Sequence, residues 1–210
     1  MHKEISDFLN RSVSGADAQV ISATVGDSAI YVNAKQILKV CEALKNSPEY
    51  QMNVLQVITA ADYLAAAATE TTPAVEERIE LTYVIASFIK NSELLIKVKL
   101  PRGDKNNLPQ IDSICSIWKS ANWQEREAFD MMGVKFNGHP DHRRILCPDD
   151  WVGHPLRKDY VAMESYNGMT IYPEDKLNFK EREFGVRQKI DVKGAVTSIN
   201  NYELGAKNIN

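Results

Sequence analysis

Three of the four histidines, one cysteine and a dense mixture of arginine and aspartate fall within Asn122–Tyr160, NWQEREAFDMMGVKFNGHPDHRRILCPDDWVGHPLRKDY. His139, His142, Cys147 and His154 are of the types that ligate metals or serve nucleophilic catalysis. Their spacing suits neither. No two pairs stand two to four residues apart, as the common zinc patterns require, and His139 and His154 each precede a proline that restricts the backbone. Cys147 runs directly into Pro148, with nothing like an activating helix N-terminus beside it. The expectation is a chain with no metal and no catalytic centre of its own.

Other chemistries lack their motifs. Cys41, Cys115 and Cys147 are an odd, widely spaced set that suits a reducing compartment, and no C-x-x-C is present for an iron–sulfur cluster or zinc ribbon. No two of the ten glycines are separated by a single residue, so there is no dinucleotide loop. Gly133 and Gly138 have Walker spacing, but His139 stands where the lysine belongs.

The stretch is unusual in using Gly-His-Pro twice, each time followed by two basic residues. Gly138-His139-Pro140 leads to Arg143-Arg144, and Gly153-His154-Pro155 leads to Arg157-Lys158. Asp141, Asp149, Asp150 and Asp159 nearly neutralise them, which argues against a nucleic-acid patch. Interleaved Arg and Asp around Trp151 and Tyr160 suit a protein interface, and equally an internal salt-bridged loop. Arg126 and Asp130 stand at i, i+4 and can pair, although that charge order opposes the helix dipole.

His2–Asn10 is amphipathic; Gln19–Thr24 and Ala29–Val32 form a hairpin; Asn33 caps a helix bearing Ile37, Leu38, Cys41 and Leu44. Strands follow at Met52–Thr59, Glu77–Lys90 and Leu94–Leu100, with Ala60–Thr72 an exposed loop or, at Ala65–Ala68, a helical turn. Ile111, Ile114, Cys115 and Trp118 have helical spacing, and Asn122 with Glu125 makes a capping box for a helix ending at Met132 before Gly133. Val134 and Phe136 lie on one side of a short strand. Consecutive strands without helices between them predict an α+β fold, an antiparallel or mixed sheet with helices packed on it. The domain spans 1–160, and 161–210, sparse in clustered apolar residues, is an extended C-terminal arm.

Across 210 residues the apolar share of 44% and charged share of 25% are those of a folded domain, and a net charge of −3 gives no pull toward nucleic acid or anionic lipid. The N-terminus MHKEISDFLNR lacks a signal-peptide apolar region, and Val84–Ile89 is too short to span a bilayer. A soluble intracellular chain, or one peripheral on something larger, is expected.

The pattern Glu125-Arg126-Glu127, Asp130-Met131-Met132, His139, Arg143, Ile145 and Leu146 resembles the signature of the C subunit (30-kDa-type) of respiratory complex I, the proton-pumping NADH:quinone oxidoreductase. GHPLRKDY extends the resemblance, which runs from about Val54 to Tyr160; Val161 departs from the family's usual proline. The resemblance implies a hydrophilic, non-catalytic structural and assembly subunit of the peripheral arm. It would lie on the cytoplasmic face of the bacterial inner membrane, beside the quinone-site D subunit and neighbouring iron–sulfur subunits. FMN and iron–sulfur clusters would sit in those partners and none in this chain, which would support electron transfer from NADH to quinone coupled to proton translocation. Glu125, Arg126, Asp130, His139, Arg143, Arg144, His154, Arg157 and Lys158 would then be subunit-docking residues. Ending at 210, the chain is expected to be the separate form rather than one fused to the D subunit. Related membrane-bound hydrogenases and deazaflavin dehydrogenases use a similar connector, which copurifying subunits would distinguish. A free-standing enzyme would instead lose activity on Cys147→Ser.

Overall fold

The computed structural model describes residues 2–22, 26–68, 74–103 and 107–171. Elements run α1 (His2–Ser12), β1 (Gln19–Ile21), β2 (Ala29–Tyr31), a 3-10 turn (Ala34–Gln36), α2 (Ile37–Asn46), β3 (Val54–Tyr63), β4 (Arg78–Ser87) and β5 (Ser92–Leu100). Then come β6 (Gln110–Asp112), α3 (Ala121–Met132), β7 (Lys135–Asn137), β8 (Ser165–Tyr166) and β9 (Met169–Thr170). The chain divides into units 1–161 and 162–210.

The first five strands form one sheet in the order β1-β2-β5-β4-β3, antiparallel except where β2 runs parallel to β5. This is the α+β class with a mixed sheet. Its centre is set by alternation: Ile79, Leu81, Tyr83 and Ile85 of β4 and Leu94, Ile96 and Val98 of β5 are all fully buried. Ile5 and Leu9 of α1 and Ile37, Val40, Cys41 and Leu44 of α2 complete that core. Each of the Val, Leu and Ile side chains contributes roughly 1.5–3 kcal/mol on burial. Asn33 caps the 3-10 turn that leads into α2, its side chain accepting from the Lys35 N–H.

Three expectations are corrected. Of the loop expected over 60–72, Ala60–Tyr63 is strand instead, 64–68 is exposed and outside the strands, and 69–72 lies outside the described residues; Ala65–Ala68 holds no helical turn. β3 continues to Tyr63 because β4 offers a partner as far as Arg78, whose guanidinium lies 4.3 Å from the Tyr63 ring, and an isolated Ala66–Val75 bridge extends the hairpin. Residues 111–118 are not a helix. Ile111 enters β6, parallel to β7 opposite Phe136, and the chain then makes single turns that bury Ile114 and Trp118. The capping box does not form. α3 begins at Ala121 after Ser120, whose hydroxyl bonds the Leu55 carbonyl instead of the helix, while Glu125 turns inward.

Within 162–171, β8 and β9 pair as a hairpin whose turn residues Asn167 and Gly168 both have positive φ, the two-residue turn that matches strand twist. The extended arm expected over 161–210 lies, from residue 172 onward, outside the described residues.

Candidate functional site

α3 presents three buried charged side chains, Glu125, Arg126 and Asp130, and the loops after β7 are folded around them. Asp130 is the main anchor. Its Oδ2 accepts the N–H groups of Ile145, Leu146 and Cys147 at 3.0, 2.7 and 2.9 Å, and Oδ1 accepts Arg144 Nη1 at 2.7 Å. Burial pushes this carboxyl up, but the three N–H groups and Arg144 outweigh it and hold it below the usual aspartate range. Arg144 also donates to the Gly153 carbonyl, so one ion pair joins the helix to both Gly-His-Pro turns.

The expected Arg126–Asp130 pair is absent. Arg126 donates instead to the carbonyls of Arg143 and Arg144, meets Asp141 at 3.3 Å and stacks over Trp123. With loop carbonyls and a loop carboxylate within reach, neither α3 residue needs the disfavoured i, i+4 order.

The second turn caps the C-terminal end of α3. His154 Nδ1 donates to the Asp130 carbonyl at 3.0 Å and Leu156 N–H to that of Met131. Gly133, at φ +73, ends the helix as expected, and a Cβ there would lie 2.6 Å from His154 Cδ2. Gly133→Ala is therefore expected to cost at least about 1–2 kcal/mol, from the left-handed backbone and the displaced imidazole together. A denaturant midpoint within error of the parent would contradict it.

Glu125 is fully buried. It accepts the Ser113 hydroxyl at 2.6 Å, the Ile114 N–H at 2.8 Å and the Cys115 thiol at 3.3 Å. These bonds capture the segment that the sequence predicts to be helical. Burial pushes the Glu125 carboxyl up despite those donors, and burial likewise raises the Cys115 thiol to about 11.

Cys115, Glu125 and His139 bring one ligand atom each within 4.8 Å of one another. Their hydrogen bonding does not fit an ion. His139 Nδ1 accepts the Asp141 N–H, which leaves the proton on Nε2, the nitrogen that bonds the Asn122 carbonyl and stands 4.0 Å from Glu125. A metal at that nitrogen would require the tautomer that Asp141 opposes. His142 accepts the Phe136 N–H and packs on Phe129. Cys147 is no activated nucleophile either: burial and then Asp130 raise its thiol.

A further buried carboxylate, which sequence reasoning missed, completes the loop. Asp62 near the end of β3 takes Arg102 through two oxygens at 2.6 and 2.8 Å and the Lys158 N–H at 2.8 Å. Arg102 also meets Asp159, and Arg157 bonds Asp159 and the carbonyls of Arg102 and Gly103. Asp62 is the one charge within β3, Val54–Tyr63, and that isolation was the available signal. Of the nine expected docking residues, eight bond through their side chains within the chain, and seven of these are buried or half-buried. The side chains of Arg143, 70% exposed and paired with Asp141, and Lys158 face outward.

These groups dictate a pH profile. Burial leads in lowering His142 and His154, helped by His139 for the first and by Arg144 and Arg157 for the second. The unfolded chain takes up those protons first, near the ordinary imidazole value of about 6.5, so stability is lost as pH falls from there. Asp62, Asp130 and Asp159 are held low by their cation and N–H partners against burial, and Glu80 of β4 by the Tyr31 hydroxyl, Lys97 and Arg78, so that all four add a steeper loss below about pH 4. Glu125, raised, acts with the opposite sign, its ionisation costing stability as pH climbs through its folded value. Melting temperature is expected to fall gently from about pH 6.5 and sharply below about 4; a profile flat down to pH 4 would contradict it.

Residues 30–166 match the family described as respiratory-chain NADH dehydrogenase, 30 Kd subunit. The C subunit of the NADH-quinone oxidoreductase of Geobacter sulfurreducens is 42% identical over 147 residues, 68% of this chain and 82% of that one. Its counterpart in Moorella thermoacetica is 46% identical over 132 residues, 63% and 78% of the two chains. In fold, the chain is similar to a trypsin-resistant fragment of Nqo5 at a TM-score of 0.50 and 21% identity, covering 67% of this chain and 99% of that one. It is also similar to a chain of the membrane-bound sulfane sulfur reductase, an archaeal respiratory membrane complex, at a TM-score of 0.57 and 19% identity, covering 93% and 98%. Matched by the family over the greater part of its length, the chain belongs to the 30 Kd subunit family of the respiratory-chain NADH dehydrogenase.

Proposed function

We propose that this chain is a structural and assembly subunit of the peripheral arm of proton-translocating NADH:quinone oxidoreductase. In this reading it docks beside the quinone-site D subunit and neighbouring iron–sulfur subunits, on the cytoplasmic face of the inner membrane, with FMN and the clusters held by partners. One observation carries the reading: the polar groups that could do chemistry are consumed by bonds inside the chain, while the loop they shape turns apolar side chains outward. Leu146, Val152 and Leu156 of the loop and Trp123 of α3 are exposed, as are Arg143 and Lys158, the residue types of anchors and rim charges found at interfaces. Among the described residues no helix is long and apolar enough to cross a membrane.

The test is to tag the chain, solubilise membranes gently, identify what copurifies by mass spectrometry and assay NADH:quinone activity. Flavin, iron–sulfur and quinone-site subunits with that activity support the reading, and a lone chain sinks it. Hydrogenase-type partners would favour a connector in a related respiratory complex, the alternative that the fold shared with the sulfane sulfur reductase chain supports. Arg143→Ala separates docking from folding, because among the described residues its exposed side chain bonds only Asp141. It is expected to change stability by less than about 0.5 kcal/mol and to lower the amount of assembled complex before turnover per complex. Normal assembly with slow turnover would contradict that role.

A further inference from the structure

The five-stranded sheet ends at β3, and a terminal strand leaves one row of backbone N–H and C=O groups without a strand partner. Over the first half of β3, Ser120 just before α3 and Gln124 within it take up three groups of that row. Ser120 Oγ donates to the Leu55 carbonyl, Gln124 Nε2 donates to the Gln56 carbonyl, and Gln124 Oε1 accepts the Ile58 N–H. Backbone groups of successive strand residues point to opposite sides, so an outward Ile58 places Ala60 and Asp62 outward as well. The register against β4 runs unshifted from Val57 to Tyr63, which preserves that parity.

Among the described residues nothing bonds the outward N–H or C=O of Ala60 or Asp62. They border an open groove of about 640 Å³ lined also by Met132, Leu156 and Lys158. The Asp62 carboxylate is committed to Arg102 and the Lys158 N–H. Among the described residues the Lys158 ammonium is therefore the unpaired charge of the groove. Backbone donors and acceptors, apolar side chains and one cation make a receptor for an extended peptide.

We propose that this half of the β3 edge accepts a strand from a partner subunit, a segment that alternates small apolar side chains and carries a carboxylate opposite Lys158. A second copy of the chain fits less well. Pairing about a two-fold axis would bring two Lys158 ammoniums into one groove while offering just Ala60 and Asp62 from each copy. The proposal rests on the reading above that the chain works as a subunit of a larger assembly.

The experiment compares hydrogen exchange in the peptide covering 59–64 between the purified complex and the isolated full chain. Assembly is expected to slow the Ala60 and Asp62 amides roughly tenfold or more, with the Ala61 amide, already facing β4, little changed. Unchanged exchange in an intact, active complex overturns this proposal alone, whereas failure to copurify any subunit removes the functional reading too. Slow exchange in the isolated chain that speeds on dilution assigns the edge to a second copy and also overturns it. Ala60→Pro removes the outward N–H while leaving the β4 ladder intact, and Ala60→Gly keeps that N–H. Loss of assembly in A60P but not A60G, with both chains folded, supports the added strand. If A60P does not fold, the exchange comparison decides.

Discussion

Asp130→Ala is expected to lower stability by about 3–5 kcal/mol, the cost of stranding one partner of a buried ion pair. For a chain of this size that is a fall in melting temperature on the order of 10 °C. The carboxylate is the shared acceptor for Arg144 and three consecutive loop N–H groups, so its loss frees the Ile145–Cys147 turn and leaves a nearly buried guanidinium uncompensated. Asp130→Asn keeps an acceptor oxygen and is expected to cost less. Replacing Arg144 in the Asp130→Ala background should then cost far less than in the parent, which a double-mutant cycle measures. Additive losses would mean that the two side chains act independently.

Asp62→Ala is expected to cost about 3 kcal/mol, less than Asp130→Ala because Arg102 retains Asp159 at 3.0 Å. Its effect should be spatially distinct. The Lys158 N–H loses its acceptor and the 157–159 turn loses its hold on β3, so trypsin should cut after Arg157 or Lys158 far sooner than in the parent. Because the Asp62 carboxylate is buried, 1 M salt should leave most of the difference in place. Equal cleavage of parent and variant would show that the turn is held by Arg157 alone.

What the sequence disclosed follows from the range of the forces involved. Alternating apolar residues announced β4 and β5, helical spacing announced α1 and α2, and Gly133 marked the end of α3, because each signal is complete within a few residues. The helix expected at 111–118 failed because Glu125 and β7 compete for the same backbone from elsewhere in the chain. Spacing reports that Ile111, Ile114 and Trp118 are buried, and they are, but a period of 3.6 does not identify the backbone path that buries them. At the site, the charged residues were visible and their partners were not. Arg126 and Asp130 looked like a local pair, whereas each reaches a loop beyond residue 140. Asp62 and Arg102, forty positions apart, share no local pattern.

The parallel contact between β2 and β5 sets the order in which the molecule can be made. Ile30 is fully buried beside Ile96, which leaves the ribosome tens of residues later, after the whole β3–β4 hairpin. At synthesis rates of about 5–20 residues per second, α1 and the β1–β2 hairpin therefore wait several seconds with apolar faces uncovered. Closing that long loop pays its entropy before any β2 contact rewards it, so the meander of β3, β4 and β5 is the natural nucleus and the N-terminal elements dock last. A nascent chain stalled before β5 is thus the species for which a chaperone would compete.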